Sequence, residues 1–401
     1  MATRIRRVET ATVRLWDVGV GAVAWNDERG IAAFEYEPGF LKLGLEIAPL
    51  TMPLRAGVFA FPQLNRDTCK DLPSLLADSL PDRFGNRIID VWLSLQGRSS
   101  RDFSPIERLR YVGTRGMGAL EFKPSIGPRA QNAVPVEVSE LTQLASDILR
   151  HRTSWAVSLK GAKAEALKTI IRIGTPAGGN RAKAIIAWNP KTEDVVSGQG
   201  STPPGFEPWI LKFDGVQDVA MGDPQGFGRV EYAYHRMAAA AGIGMEECRL
   251  LEENGRAHFM TRRFDRQGNR KIHMQSLCAM DHMDFNAPGE YSYEQAFMVV
   301  QRLRLGAPAF DVVWAFNPAG NWTNKHQMSI NGKRDDFTKA DLAQIAKTFG
   351  IKNAKEELEQ VGEAVALWPD LSREAGVPQP LSSQIESTHR LALLKGERAH
   401  S

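Results

Sequence analysis

Several familiar features are absent from this 401-residue sequence. It has three cysteines, Cys69, Cys248 and Cys278, far apart and odd in number, so a disulfide or zinc framework is not expected. The spacing points to reduced thiols of a cytoplasmic protein. None of the eight histidines pairs with a cysteine at metal-ligand spacing. No apolar run is long enough to span a bilayer. The arginine-bearing start, MATRIRRVETATVRLW, has no apolar core of the kind secretion needs. Net charge is only +3, too small to argue for nucleic-acid binding by itself. Repeats and low-complexity segments are missing as well. What remains is the composition of a globular protein long enough for two or three domains.

The stretch from Ile171 to Asp214 organises the rest. It opens IRIGTPAGGNRAKAIIAW and closes PWILKFD, with Lys212 in the middle of a short apolar strand. The pattern reads as strand, glycine loop, strand, and then the lysine strand. Glycine lets backbone N–H groups approach phosphate oxygens, and a strand lysine can then reach the same phosphates. The same glycines also suit an ordinary hairpin turn.

Residues 9–60 read as hairpins of a small antiparallel sheet, including a run Ile31 to Tyr36. Leu72, Leu75, Leu76 and Leu80, then Phe84, Ile88, Val91, Trp92 and Leu95, fall at helical spacing. The glycine turn 113–118 leads to the strand Ala119 to Phe122. It ranks below Gly178-Gly179 as a phosphate loop, because no lysine-bearing strand follows it at a useful distance. Residues 123–136 have linker composition. Helices are predicted over 139–151, 229–241, 338–349, 353–368 and about 381–395, the fourth stopping at Pro369 with Leu358, Val361, Val365 and Trp368 on one face. Thr338 and Asp341 resemble a capping box. Residues 247–265 read as a hairpin turning at Asn254-Gly255.

In order and spacing these segments resemble the HipA family of bacterial toxin kinases from type II toxin–antitoxin modules. The resemblance rests on LPSLLADSLPDRFGN (72–86), RGMGALEF (115–122), GGNRAKAIIAW (178–188), WILKF (209–213), HFMTRRFDR (258–266), HMQSL (273–277), PGEYSYEQ (288–295), PAFDV (308–312) and HQMSINGKRD (326–335). It implies an α+β fold: a protein-kinase-like two-lobed domain, with a β-rich N-lobe and a helical C-lobe, behind a small α+β N-terminal domain. The domains would run 1–125 and 137–401, with lobes at about 137–265 and 266–401. It also implies ATP and Mg²⁺ as cofactors and serine/threonine phosphorylation of an aminoacyl-tRNA synthetase, which inhibits translation. The implied partners are a HipB-like helix-turn-helix antitoxin and, through it, operator DNA.

The site residues follow from the same resemblance. Gly178, Gly179, Asn180, Arg181 and Lys183 match the family's phosphate loop, and Lys212 matches the lysine that holds the ATP phosphates. Glu231 would pair with Lys212, or equally be a charge favoured in a helix's first turn. Arg262 and Phe264 match the strand that passes the adenine, although Phe264 also suits an ordinary core. Asp311 in PAFDV matches the Mg²⁺-binding aspartate, against a turn-capping alternative. Thr175 stands one residue from the place of a regulatory autophosphorylated serine, where phosphate would repel ATP.

One part of the pattern is missing. The family's catalytic loop, Asn-x-Asp-Asp-His-x-x-Asn, should precede PAFDV. Residues 295–310 read QAFMVVQRLRLGAPAF and contain no Asp, Asn or His. The superficially similar DHMDFN at 281–286 precedes PGEYSYEQ and is not that loop. Either this sequence omits a stretch of the protein, which the persistence of Lys212, the glycine loop and Asp311 favours, or the deletion is real. In the second case the chain is a catalytically inactive HipA-like protein acting as an antitoxin-binding co-repressor.

Overall fold

The computed structural model describes residues 10–129, 134–150, 162–174, 181–216, 226–306 and 309–395. The chain forms two compact units. The first comprises Met1–Pro224 and Met260–His282; the second comprises Gln225–Phe259 and Met283–Ser401.

The first unit begins with a five-stranded antiparallel sheet. Its strands are β1 (Thr10–Leu15), β2 (Val18–Asn26), β3 (Ile31–Tyr36), β4 (Val58–Phe59) and β5 (Leu120–Lys123), in the order β4-β3-β2-β1-β5. Residues of β1 alternate between buried and less buried positions, as a strand with one face on a core must. That face carries Val13, Leu15, Val20, Val23, Phe34 and Tyr36. Leu75 and Leu76 from the helix Ser74–Ala77, and Ile106, Leu109 and Val112 from the helix Pro105–Val112, complete the core. Ser104 and Glu107 close a capping box on the second of these helices. At Gly21 a Cβ would collide with the Glu35 carbonyl and the Phe34 ring, so only glycine lets β3 approach β2 there.

Further along the same unit, β6 (Lys183–Trp188) pairs antiparallel with β7 (Val195–Ser197) on one side and with β8 (Glu207–Lys212) on the other. Every residue of β6 is buried, which suits a central strand. Trp188 and Trp209 meet edge to face across the β6–β8 pair, ring centroids 5.7 Å apart. Two helices, Val138–Arg150 and Ala162–Ile173, precede this sheet.

The second helix corrects one expectation. Ile171 to Ile173 reads as a strand in sequence, but it is the last turn of a helix. Leu167, Ile170, Ile171 and Ile173 are all buried, and an apolar run of that length fits either period. The helix bonding continues past it, from the Gly174 N–H to the Ile170 carbonyl.

The second unit contains the helix Phe227–Ala240 and the strands β9 (Cys248–Glu253) and β10 (Arg256–Arg262), which returns the chain to the first unit. Asn254 and Gly255, between the strands, both have positive φ, as a tight hairpin turn requires. Val230, Ala233 and Met237 pack with Trp368, Leu371 and Ile385 in this unit's core. The helix Lys339–Phe349 has the expected Thr338–Asp341 capping box and ends at Gly350, φ 68°. The next helix is shorter than its sequence suggests. It spans Ala354–Ala366, and Pro369 lies in the first turn of a separate helix, Trp368–Glu374. Proline is well placed there, because its missing N–H is one that a first turn leaves unpaired anyway. The buried face is Gly362 and Ala364 followed by Trp368, while Val361 is exposed. The last predicted helix is two, Gln379–Glu386 and Ala392–Lys395.

Candidate functional site

The register of β6 against β8 sets out the candidate site. Lys183 is the Cα partner of Lys212. Directly opposed residues of an antiparallel pair project to the same face, so both ammonium groups leave the same side of the sheet. Phe213 N–H bonds to the Ala182 carbonyl, which holds the end of β8 against the start of β6. The glycines lie in the segment that runs into β6, so Lys212 is fixed beside the point where that segment enters the sheet. Gly178, Gly179, Asn180 and Thr175 themselves lie outside the described residues.

The two lysines have different surroundings. Lys183 is 3% exposed, with its Nζ 3.1 Å from Asp82 Oδ2. Asp82 is the N-cap of the helix Arg83–Ser94, and its other oxygen accepts from the Gly85 N–H at 2.7 Å. Burial pushes the Asp82 carboxyl above the usual range, and the Lys183 ammonium opposes that rise. Lys183 thus ties β6 to the N-terminal LPDRFGN segment. Lys212 and Arg181 are half-buried.

The remaining expected residues are spread along the chain. Glu231 is buried on the helix Phe227–Ala240, in the second unit, whereas Lys212 is in the first. Arg262 ends β10, and Phe264 follows it half-buried. Asp311 is exposed and has a left-handed backbone, φ 59°. Two residues before it, the Ala309 N–H bonds to the Gly244 carbonyl. A magnesium ion on ATP needs one or two protein carboxylates besides phosphate and water, and kinases supply an aspartate and an asparagine together. Among the described residues no three His, Cys, Asp or Glu side chains converge as a metal centre. Asp311 by itself does not make that donor set.

The sequence reading missed a charged cluster after β10. Arg263 donates to both carboxylate oxygens of the fully buried Asp265, at 2.8 and 2.7 Å. Asp265 Oδ2 also accepts from the Gly118 N–H, and Arg266 donates to the Gly116 and Gly118 carbonyls. The glycine turn 113–118 is therefore an anchor for the RRFDR segment. Four charges in five residues next to glycine-rich RGMG were the available signal.

A lysine-bearing antiparallel sheet that follows a glycine segment occurs in nucleotide-binding lobes and in ordinary hairpins alike, and comparison with known proteins supplies the fold. A profile described as the HipA N-terminal domain matches residues 11–123, and one described as the HipA-like C-terminal domain matches 175–307. Together they span more than half of the chain, which belongs to the HipA family. The chain is similar to a solved structure described as the Shewanella oneidensis MR-1 toxin–antitoxin system HipA, HipB and its operator DNA complex. The TM-score is 0.59 at 14% identity, over 96% of each chain. That likeness shows the fold, which is kinase-like. No curated protein sequence matches.

Proposed function

We propose that this chain is the toxin component of a type II toxin–antitoxin module, a serine/threonine kinase of the HipA type. It would act in the cytoplasm on a protein of the aminoacyl-tRNA synthetase class. Its partner would be a HipB-like helix-turn-helix antitoxin that carries the pair to operator DNA. The observation that supports this reading is the β6–β8 register, which sets Lys212 opposite Lys183 at the start of β6.

In this reading ATP lies against the N-lobe, within domain limits of 1–125, 137–265 and 266–401. Gly178, Gly179, Asn180 and Arg181 approach the phosphates, and Lys212 supplies the point charge there. Arg262 and Phe264 border the adenine. Lys183 contributes by fixing β6, since its ammonium is held by Asp82. Asp311 stands at the family's Mg²⁺-binding aspartate by its place in PAFDV, without the second donor such a site needs, and Thr175 is the regulatory phosphosite.

A second reading rests on residues 295–310, which offer no Asp, Asn or His to position a substrate hydroxyl. On that reading the chain still binds antitoxin and nucleotide, transfers no phosphate, and serves as a co-repressor. Labelled ATP given to the purified 401-residue chain separates the two. The toxin reading expects label on the chain or on an aminoacyl-tRNA synthetase, abolished by Lys212→Ala. The co-repressor reading expects no label, with the antitoxin–operator complex still supershifted by the chain.

A further inference from the structure

The first unit contains a cavity of about 290 Å³ whose lining includes none of the described residues assigned to ATP. Its lining includes Glu121, Thr202, Arg263, Arg266, Asn269 and Lys271, with backbone from the turn Gly198–Gly200. The last three of these side chains come from the small hairpin made by β11 (Arg266–Gln267) and β12 (Arg270–Lys271) and its turn. Burial alternates along the segment before it. Arg263 and Asp265 are buried, whereas Arg262 and Phe264 are half-buried. Arg263 lines the cavity, whereas Arg262 and Phe264, the residues assigned to adenine, do not.

The cavity has more positive charge than its own carboxylates neutralise. Arg115, Arg263, Arg266 and Lys271 line it, against Glu121 and the Asp265 beneath. Arg115 is committed elsewhere, to the carbonyls of Tyr111, Ile171 and Arg172. The other three keep capacity. Arg263 commits Nε and Nη2 to Asp265, leaving Nη1. Lys271 gives two of its three ammonium hydrogens, to the Thr114 carbonyl and to Glu121, both at 2.7 Å. The surplus is felt by its members. Burial first, then the neighbouring Arg263, pushes the Arg266 guanidinium down to about 10. Burial lowers Lys271 too, with Arg266 and Arg263 adding to the effect against Glu121. Uncompensated buried charge is costly, and a bound anion removes that cost.

We propose that this cavity is a binding site for a phosphate-type anion, inorganic phosphate or a phosphate monoester, held by Arg263, Arg266 and Lys271 with Thr202 and Asn269 at its rim. Room for the anion and accompanying water is available at this volume. The Asn269 side-chain oxygen already accepts from the Thr202 N–H at 2.7 Å, so the rim is ordered.

Titration calorimetry on the full chain, with inorganic phosphate and with O-phosphothreonine at matched ionic strength, tests this. One saturable site per chain is expected for at least one of the two, and the tighter ligand identifies the source. Asn269→Asp keeps the acceptor for Thr202 and adds a negative charge, so binding should weaken about ten-fold or more. Glu121→Gln removes an opposing carboxylate and should tighten binding several-fold. Lys212→Ala should leave binding unchanged, which separates this cavity from the proposed ATP site whether or not ATP binds. Absence of saturable binding to either ligand overturns the proposal. Wild-type affinity in Asn269→Asp, or loss of the site in Lys212→Ala, does so equally.

Discussion

The two units differ in how completely their elements are covered. In the first, every residue of β6 is buried, and the N-terminal sheet closes over a continuous core of Val, Leu, Ile and Phe. In the second, the helix Tyr293–Leu303 is just as amphipathic in sequence, yet Val299 is its one buried residue. Met298 and Val300 are 54% and 40% exposed, and Phe310 just beyond is 58% exposed. This thin burial falls at the place where the family's catalytic loop is missing from the sequence. Packing needs a partner layer, so a helix with a good apolar stripe still buries little when the chain supplies nothing to cover it.

The comparison can be broken hardest at Asp82. Replacing it with alanine takes the Asp82 carboxylate away from the buried Lys183 ammonium, and loss of one partner of such a pair costs about 3–5 kcal/mol. Urea unfolding should show this loss in the transition of the first unit, and Asp82→Asn should recover part of it through the retained cap to Gly85. A wild-type midpoint in Asp82→Ala would show that the pair does not hold β6.

Acid should act more gently, and on the second unit. His258 is fully buried beside Glu253, and burial pushes its imidazole from 6.5 down to about 4. Its folded value is below its unfolded one, so the unfolded chain binds the proton first. Stability from this residue is complete above about pH 6.5 and falls as pH drops towards 4. His258→Gln should flatten that part of the stability profile, measured by thermal melts between those limits.

The smallest effects sharpen the contrast within one helix. Val299→Ala should cost about 1–2 kcal/mol, as removal of buried methyl groups does. Val300→Ala, one residue along and exposed, should stay within about 0.5 kcal/mol. Equal losses at both positions would mean that the outer face is covered in solution.

Some elements were legible because the signal is local. The Thr338–Asp341 capping box, the Asn254-Gly255 turn and the run Ile31 to Tyr36 each depend on neighbouring residues. Errors arose where one pattern serves two structures. The isoleucines before Gly174 fit a strand or a helix end, and Pro369 fits a stop or a first turn. Among the site residues, the strand that carries Lys212 was legible from its apolar run, although Lys212 ends that strand and does not lie in its middle.

The sequence by itself determined the family, the order of the elements and the presence of a lysine strand after a glycine segment, because those are properties of spacing along the chain. Only the tertiary structure decided which charges are neutralised and by what. Lys183 meets Asp82, and Arg263 and Arg266 share Asp265 beside the glycine turn. Lys183 and Asp82 lie far apart in the chain, as do Asp265 and the glycine turn that it anchors, and burial sets the energy of each contact. Neither burial nor long-range proximity is encoded in any local pattern of residues.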